Sequence, residues 1–139
     1  MFQIIAGEKG KGKTKLLISK ANEDIYETKG SLVYLDKNNK HMYELSNKIR
    51  LINTRDYSID SANEFCGFIS GVISSDHDLE KVYFDSFLKI GCIKIDELES
   101  ILNKLKDISD RFNIDFILSI SLNKENIPES FHDKIVVAL

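Results

Sequence analysis

Short apolar runs alternate along the chain with longer segments in which apolar residues recur every three or four positions. Apolar runs rich in β-branched and aromatic residues are typical of strands, and recurrence at three and four is typical of amphipathic helices. The apolar runs predict six strands, at residues 2–6, 31–35, 49–53, 82–85, 116–122 and 134–139. The longer segments predict helices at residues 13–27, 37–46, 59–74 and 95–112.

The predicted strands are almost uniformly apolar, which is typical of strands covered by helices on both faces. Their alternation with helices favours a parallel sheet joined by right-handed crossovers. The sequence therefore predicts an α/β fold of three layers (αβα), with a mostly parallel sheet of five to six strands. A single proline, Pro128, and the lack of any linker-like stretch predict one domain over residues 1–139.

Charge and composition narrow the function classes. The 19 basic and 22 acidic side chains give a net charge of −3, which argues against a broad surface for binding nucleic acid or anionic lipid. No apolar run approaches the roughly eighteen residues of a membrane span, and the start shows no leader, so we expect a soluble cytoplasmic protein. The spacing of Cys66 and Cys92 fits no metal site, and we expect both thiols to be reduced and buried.

One loop carries recognisable chemistry. Residues Gly7–Thr14 read GEKGKGKT, which matches the phosphate-binding pattern G-x-x-x-x-G-K-[ST] between a predicted strand and a predicted helix. Glycines let backbone N–H groups turn toward phosphates, and the helix N-terminus adds partial positive charge. In this motif Lys13 reaches the β- and γ-phosphates and the Thr14 hydroxyl ligates Mg²⁺.

The candidate nucleotide-binding segment extends one residue past the motif. Lys9, Lys11 and Lys15 are not required by the pattern, and solvated surface charges are the simpler interpretation of each. The segment consists of Gly7, Glu8, Lys9, Gly10, Lys11, Gly12, Lys13, Thr14 and Lys15.

A second element supports the loop. The apolar run Val82–Phe84 is followed by Asp85, and a carboxylate at the carboxyl end of a parallel strand is well placed to hold Mg²⁺ beside a phosphate loop. An ordinary strand end is the alternative. Together with Thr14, Asp85 predicts a magnesium site, with ATP and Mg²⁺ as the expected ligands.

The order of these elements resembles the RecA-like ATPase core across nearly the whole chain. The resemblance implies a sheet in the order strand six, one, five, four, two, three. More narrowly, residues 2–14, 52–54 and 113–116 resemble small clostridial ATP-binding proteins named twitching-motility (PilT-like) ATPases. The chain is far shorter than a pilus-retraction ATPase, so the resemblance implies no motor activity.

The resemblance also implies other site residues. RecA-like members place a glutamate base at the end of the second strand, where this chain has Asp36, and other P-loop ATPases place Glu where Ser86 stands. Lys13 and Asp36 are therefore the candidate catalytic residues, and Asp36 equally fits a helix cap before Lys37. Ser119 and Ser121 fall where a γ-phosphate sensor is expected, or are plain polar side chains. Arg55 fits an arginine finger across a subunit interface, or a surface arginine.

Two other P-loop classes fit less well. A small-molecule kinase needs a lid with several arginines, and this chain has three arginines in all. The segment Asn123–Asn126 resembles the guanine-reading N-K-x-D pattern but lacks its aspartate, so adenine is preferred over guanine. The sequence leaves two functions open: a slow Mg-dependent ATPase, or a nucleotide-dependent switch that hydrolyses little and acts through a homo-oligomer or a protein partner.

Overall fold

Six parallel strands form one sheet in the order β3-β2-β4-β5-β1-β6. The computed structural model describes all residues, Met1–Leu139. The strands are β1 (Phe2–Ala6), β2 (Ser31–Asp36), β3 (Arg50–Asn53), β4 (Leu79–Phe84), β5 (Asp115–Ile120) and β6 (Ile135–Ala138). The order expected from the RecA-like resemblance is confirmed.

Four α-helices connect the strands: α1 (Lys13–Asp24), α2 (Ala62–Ser74), α3 (Phe87–Ile90) and α4 (Leu98–Phe112). Shorter 3-10 turns lie at Thr54–Tyr57, Ile95–Glu97, Lys124–Asn126 and Glu129–Lys134. The Ser61 hydroxyl accepts a hydrogen bond from the Glu64 N–H, which caps the start of α2. None of the helices is long and apolar enough to cross a lipid bilayer.

The helices cover both faces of the sheet, as the apolar strands predict. Phe116 and Leu118 of β5 face a core of 27 buried residues that includes the apolar stripes of α2 and α4. Ile117, between them, faces a second core of 10 buried residues that includes Leu17 of α1. A strand exposes alternate side chains to opposite faces, so every central strand contributes to both cores. The predicted three-layer α/β fold is confirmed.

One predicted helix is wrong. Residues 37–46 form a series of turns, and the second face of the sheet is therefore covered mainly by α1. The Asn38 side-chain oxygen accepts a hydrogen bond from the Lys40 N–H, a local turn that competes with helix formation. Tyr43 is 92% exposed, so the segment has no continuous apolar stripe that could pack against the sheet and stabilise a helix.

Smaller differences concern ends and cysteines. The predicted first helix ends at Asp24 rather than Glu27, and β4 begins earlier, at Leu79, and ends at Phe84. Asp85 thus lies just after the strand, at its carboxyl end. Cys66 is buried as expected, but the expectation for Cys92 is wrong because its side chain is exposed.

Candidate functional site

The motif loop lies at the carboxyl edge of the sheet, between β1 and the start of α1. Gly10 and Gly12 have φ angles of +88° and +91°, a left-handed conformation that costs glycine little and other residues more. No backbone or side-chain atom lies within 4 Å of a Cβ added at either position. These glycines are therefore required by the turn of the chain and not by lack of space.

Lys13 is buried at the first position of α1, where its Nζ donates a hydrogen bond to the Glu8 carbonyl oxygen at 2.9 Å. Burial lowers the pKa of the Lys13 ammonium, while the nearby Asp85 carboxylate acts in the opposite direction. The loop thus folds back over its own lysine. The ammonium lies in the same cavity as Thr14 and Asp85.

Asp85 is the centre of a buried hydrogen-bond network. Its Oδ1 accepts hydrogen bonds from the Thr14 hydroxyl at 3.0 Å and the Ser119 hydroxyl at 3.2 Å, and its Oδ2 accepts one from the Tyr34 hydroxyl at 2.8 Å. Asp85 is only 2% exposed, so these three donors replace the water that an ionised carboxylate would otherwise need. Burial and the Asp85 charge raise the pKa of the Tyr34 hydroxyl, which keeps that group a donor.

Ser119 also holds the chain that follows Asp85. The Ser86 N–H donates to the Ser119 Oγ at 3.0 Å, and Ser86 has a φ of +55°, which is uncommon for a residue with a side chain. Ser121 follows the end of β5, lines the same cavity and is exposed. The two serines proposed as sensors therefore differ: Ser119 is a buried network member, and Ser121 faces the open cavity.

Asp36 lies near this network without lining the cavity. Its side chain is 3% exposed, Oδ1 accepts a hydrogen bond from the Lys37 N–H at 2.7 Å, and Oδ2 has no hydrogen-bond partner. Burial, and then the charge of Asp85, raise the pKa of Asp36 to about 6. No helix begins at Lys37, so the interpretation of Asp36 as a helix cap is wrong.

The cavity beside the loop measures about 330 Å³. It gathers the predicted residues Lys9, Gly10, Gly12, Lys13, Thr14 and Asp85, together with Ser119 and Ser121. Other predicted residues do not line it: Gly7, Glu8, Lys11, Lys15, Asp36 and Arg55. Lys11 and Lys15 are exposed, and the Glu8 side chain accepts a hydrogen bond from the Asn123 amide at 2.9 Å.

Three residues at the site were missed by the sequence analysis. Tyr34 reads as a core position of an apolar strand, and nothing in the sequence indicates that its hydroxyl reaches Asp85. Lys37 and Lys89 line the cavity opposite the loop. Their positions offered a signal, because Lys37 follows the carboxyl end of β2 and Lys89 lies four residues after Asp85.

A larger cavity, of about 640 Å³, lies at the opposite edge of the sheet between the C-terminal ends of α2 and α4. Its lining mixes apolar residues such as Ile73 and Phe112 with both signs of charge, including Asp107 and Arg111. It brings together none of the motif residues. Size alone therefore does not mark the functional site in this molecule.

A comparison with solved structures shows that the fold is a known one. The chain is similar to the crystal structure of the flagellar accessory protein FlaH from Methanocaldococcus jannaschii, with a TM-score of 0.52 and 17% sequence identity. The match covers 93% of this chain and 63% of the FlaH chain, so this chain spans less than two thirds of that protein. At this identity the likeness shows a shared α/β fold of the RecA-like type.

Comparisons at the level of sequence find no match. No protein-family model matches the chain. No curated protein matches it either.

Proposed function

We propose that the chain is a Mg-dependent ATP-binding protein, a single nucleotide-binding domain over residues 1–139 that hydrolyses ATP slowly. The hydrogen bond between the Thr14 hydroxyl and the Asp85 carboxylate, at 3.0 Å, carries this proposal. It pairs the last residue of the phosphate loop with an acid at the end of a neighbouring strand, in a cavity that also holds Lys13. A Gly- and Lys-rich surface turn without a ligand would not require a hydrogen bond between these two side chains.

The phosphates of the nucleotide are proposed to lie in the loop Gly7–Thr14. The left-handed conformation of Gly10 and Gly12 would let backbone N–H groups turn toward the phosphates, and the N-terminus of α1 would add its partial positive charge. Lys13 would exchange its hydrogen bond with the Glu8 carbonyl for the β- and γ-phosphates. That exchange gains a charge-assisted contact in place of a neutral acceptor.

The donors near Thr14 fit magnesium. Mg²⁺ prefers oxygen ligands and is held at phosphate sites by one or two protein groups, with phosphates and water supplying the rest. The Thr14 hydroxyl and the Asp85 carboxylate are such groups, and they already lie in hydrogen-bond contact. When bound, the ion would offset the negative charge on the β- and γ-phosphates.

Asp36 is the proposed general base. A carboxylate with a pKa of about 6 is still mostly ionised at pH 7, and it accepts a proton from water more readily than an ordinary aspartate does. Its Oδ2 has no hydrogen-bond partner and is therefore available as an acceptor. Because Asp36 does not line the cavity, a movement of the β2 end must precede proton transfer, and slow turnover is expected.

The alternative is a switch that binds ATP or ADP without hydrolysing it and acts through a homo-oligomer or a protein partner. The position of Asp36 outside the cavity is the observation that favours it. Both functions use the same phosphate site. The preference for adenine over guanine and a cytoplasmic location remain proposals from the sequence, as does the resemblance to PilT-like proteins.

Phosphate release from Mg-ATP and Mg-GTP tests the proposal, with nucleotide affinity measured by calorimetry on each variant. We expect Lys13→Ala to abolish binding and turnover, and Asp36→Asn to keep binding within about twofold and lose turnover. Asp107→Asn, an exposed change on α4 outside the site, is the matched control and should behave as the wild type does.

The outcomes separate the two functions. ATP binding without phosphate release above the Lys13→Ala background would replace the ATPase with the switch. Equal turnover in Asp36→Asn and wild type would remove Asp36 as the base while leaving the ATPase in place. A wild-type chain that binds neither nucleotide would overturn the proposal altogether.

A further inference from the structure

The cavity beside the phosphate loop carries more positive charge than the motif supplies. Lys9, on the loop, and Lys37 and Lys89, opposite it, line the cavity together with Lys13. The carboxylate that lines it, Asp85, already accepts hydrogen bonds from three hydroxyl groups. Lys37 and Lys89 lie beside each other and near Lys9, and neither is within ion-pair distance of a carboxylate.

None of these three lysines takes part in an ion pair. The seven ion pairs of the molecule involve other groups. Repulsion by the Lys37 ammonium, and then by Lys9, lowers the pKa of Lys89. Exposed like charges ordinarily spread apart in water, so a group of lysines around one cavity is typical of a site that binds an anion.

The topology indicates which part of a nucleotide would meet this charge. Across the carboxyl edge the strands run from β1, which feeds the loop, through β5 to β4 and then β2. Asp85 follows β4, Lys37 follows β2, and Lys89 lies on α3 just after Asp85. Thr14 and Asp85 would hold a metal next to the β- and γ-phosphates, whose charge it would offset. A terminal phosphoryl group beside that metal would therefore lie toward the ends of β4 and β2, where the two lysines are.

We propose that Lys37 and Lys89 form a subsite for the terminal phosphoryl group of a nucleoside triphosphate. The chain would then distinguish ATP from ADP with charge supplied by its own residues at the ends of β2 and β4. This inference rests on the proposed nucleotide binding and adds to it the means by which the bound state is read. It serves the ATPase and the switch equally.

Lys37 also links this subsite to the proposed base. The Lys37 N–H donates to the Asp36 Oδ1 at 2.7 Å, so a phosphoryl group that draws Lys37 into the cavity also moves the backbone that holds Asp36. Thr54 joins the same corner, because its hydroxyl donates to the Asp36 carbonyl oxygen at 3.2 Å. Triphosphate binding would therefore reposition the end of β2, and diphosphate binding would leave it in place.

Calorimetric affinities for Mg-ADP and for Mg-bound adenylyl imidodiphosphate, a non-hydrolysable ATP analogue, test the subsite. The variants are Lys37→Met, Lys89→Met and the double variant, which keep most of the side-chain length and remove the charge. Lys40→Met and Lys94→Met are matched controls, since both lysines are exposed and lie outside the cavity. Circular dichroism checks that every variant is folded.

We expect each single variant to bind the triphosphate about 10-fold more weakly and the diphosphate within twofold of wild type. The double variant should lose most of the preference for triphosphate, and the controls should keep it. Equal weakening for both nucleotides would overturn the subsite and leave only a general electrostatic attraction. Unchanged affinities would overturn it as well.

Failure of the proposed function can be told apart from failure of the subsite. Lys13→Ala should lose both nucleotides, because the loop holds the phosphates common to them. If the wild type binds neither nucleotide, inorganic tripolyphosphate and pyrophosphate replace them as probes. A preference for tripolyphosphate that the double variant loses would support the subsite alone, and no preference, or no binding, would overturn it.

Discussion

The two edges of the sheet differ in whether their charged side chains are paired. At the amino edge, the Nζ of Lys81, the third residue of β4, lies 3.6 Å from a carboxylate oxygen of Asp24 and 3.8 Å from one of Asp115. At the carboxyl edge, Lys37 and Lys89 have no ion-pair partner, and Asp36 has a buried oxygen with no hydrogen bond. The same sheet therefore has a balanced end and an unbalanced one.

The difference teaches where to look for function. Buried polar atoms are almost always satisfied, and charges near a sheet edge can pair with neighbours at little cost. An end that keeps unpaired cations and an unsatisfied carboxylate lowers stability there, and such local conflict is expected where a ligand completes the structure. The amino edge has a larger cavity and no such conflict.

The largest expected effect concerns the pH dependence that Asp36 adds. Its pKa rises from 3.8 to about 6 on folding, so the folded state binds the proton of Asp36 more tightly than the unfolded state does. The contribution of this proton to the free energy of unfolding is complete below pH 3.8 and is lost as the pH rises through 6. A shift of this size corresponds to about 3 kcal/mol in the free energy of unfolding. We expect Asp36→Asn to match the wild type at pH 4 and to exceed its stability by about 3 kcal/mol at pH 8.

Urea unfolding at both pH values measures this effect. The matched control is Asp115→Asn at the amino edge, which removes a paired carboxylate and should destabilise by less than about 1 kcal/mol. If Asp36→Asn were no more stable than the wild type at pH 8, Asp36 would be better solvated than its surroundings indicate, and the contrast between the edges would weaken.

Asp85 tests the metal side of the comparison. Asp85→Asn keeps the shape of the side chain and removes its charge, so the affinity for ATP in the absence of Mg²⁺ should change by less than about threefold. The gain in affinity on adding Mg²⁺ should fall by about 100-fold, which corresponds to roughly 2.8 kcal/mol. Titrations with and without the metal measure it, and an undiminished Mg²⁺ effect would remove Asp85 from the proposed metal site.

The sequence predicted most of the fold because the central strands leave few alternatives. Six apolar runs alternating with helical segments define a parallel sheet, and the RecA-like resemblance, carried by the order of the loop, strands and helices, supplied the strand order. The prediction of a helix at residues 37–46 was wrong because side-chain turns such as that of Asn38 compete with helix formation. The spacing of apolar residues contains no information about that competition.

The candidate site was predicted in part. Lys13, Thr14 and Asp85 follow from local motifs, and the structure brings them into one cavity. The Tyr34 hydroxyl contacts Asp85 across 51 residues of sequence. Lys89 reaches the cavity because the chain turns into α3 directly after β4. Tyr34 carries no local signal, since Asp85 is distant from it in sequence. Lys89 does carry one, because it lies four residues after Asp85.

Tyr34 sharpens the comparison through a single hydrogen bond. Tyr34→Phe fills the same buried space and removes the hydroxyl that donates to Asp85 Oδ2 at 2.8 Å. Leaving that buried oxygen with one donor fewer should cost about 1–3 kcal/mol of unfolding free energy, and Mg²⁺ should restore part of it by binding Asp85. Thermal unfolding with and without Mg-ATP measures both effects, and equal stability of Tyr34→Phe and wild type would contradict the role of Tyr34.

The smallest effect is expected at the balanced edge. Lys81→Met removes both contacts with Asp24 and Asp115, but the lysine side chain is 26% exposed and the two pairs are long, at 3.6 and 3.8 Å. Partly exposed pairs of this kind contribute roughly 0.5 kcal/mol, and nucleotide affinity should not change. Lys89→Met at the other edge should show the reverse: no loss of stability, since it relieves repulsion by Lys37, and a weaker triphosphate complex. If Lys89→Met instead destabilised the fold as Lys81→Met does, the charge at the carboxyl edge would be structural, and the contrast between the two edges would no longer identify a binding site.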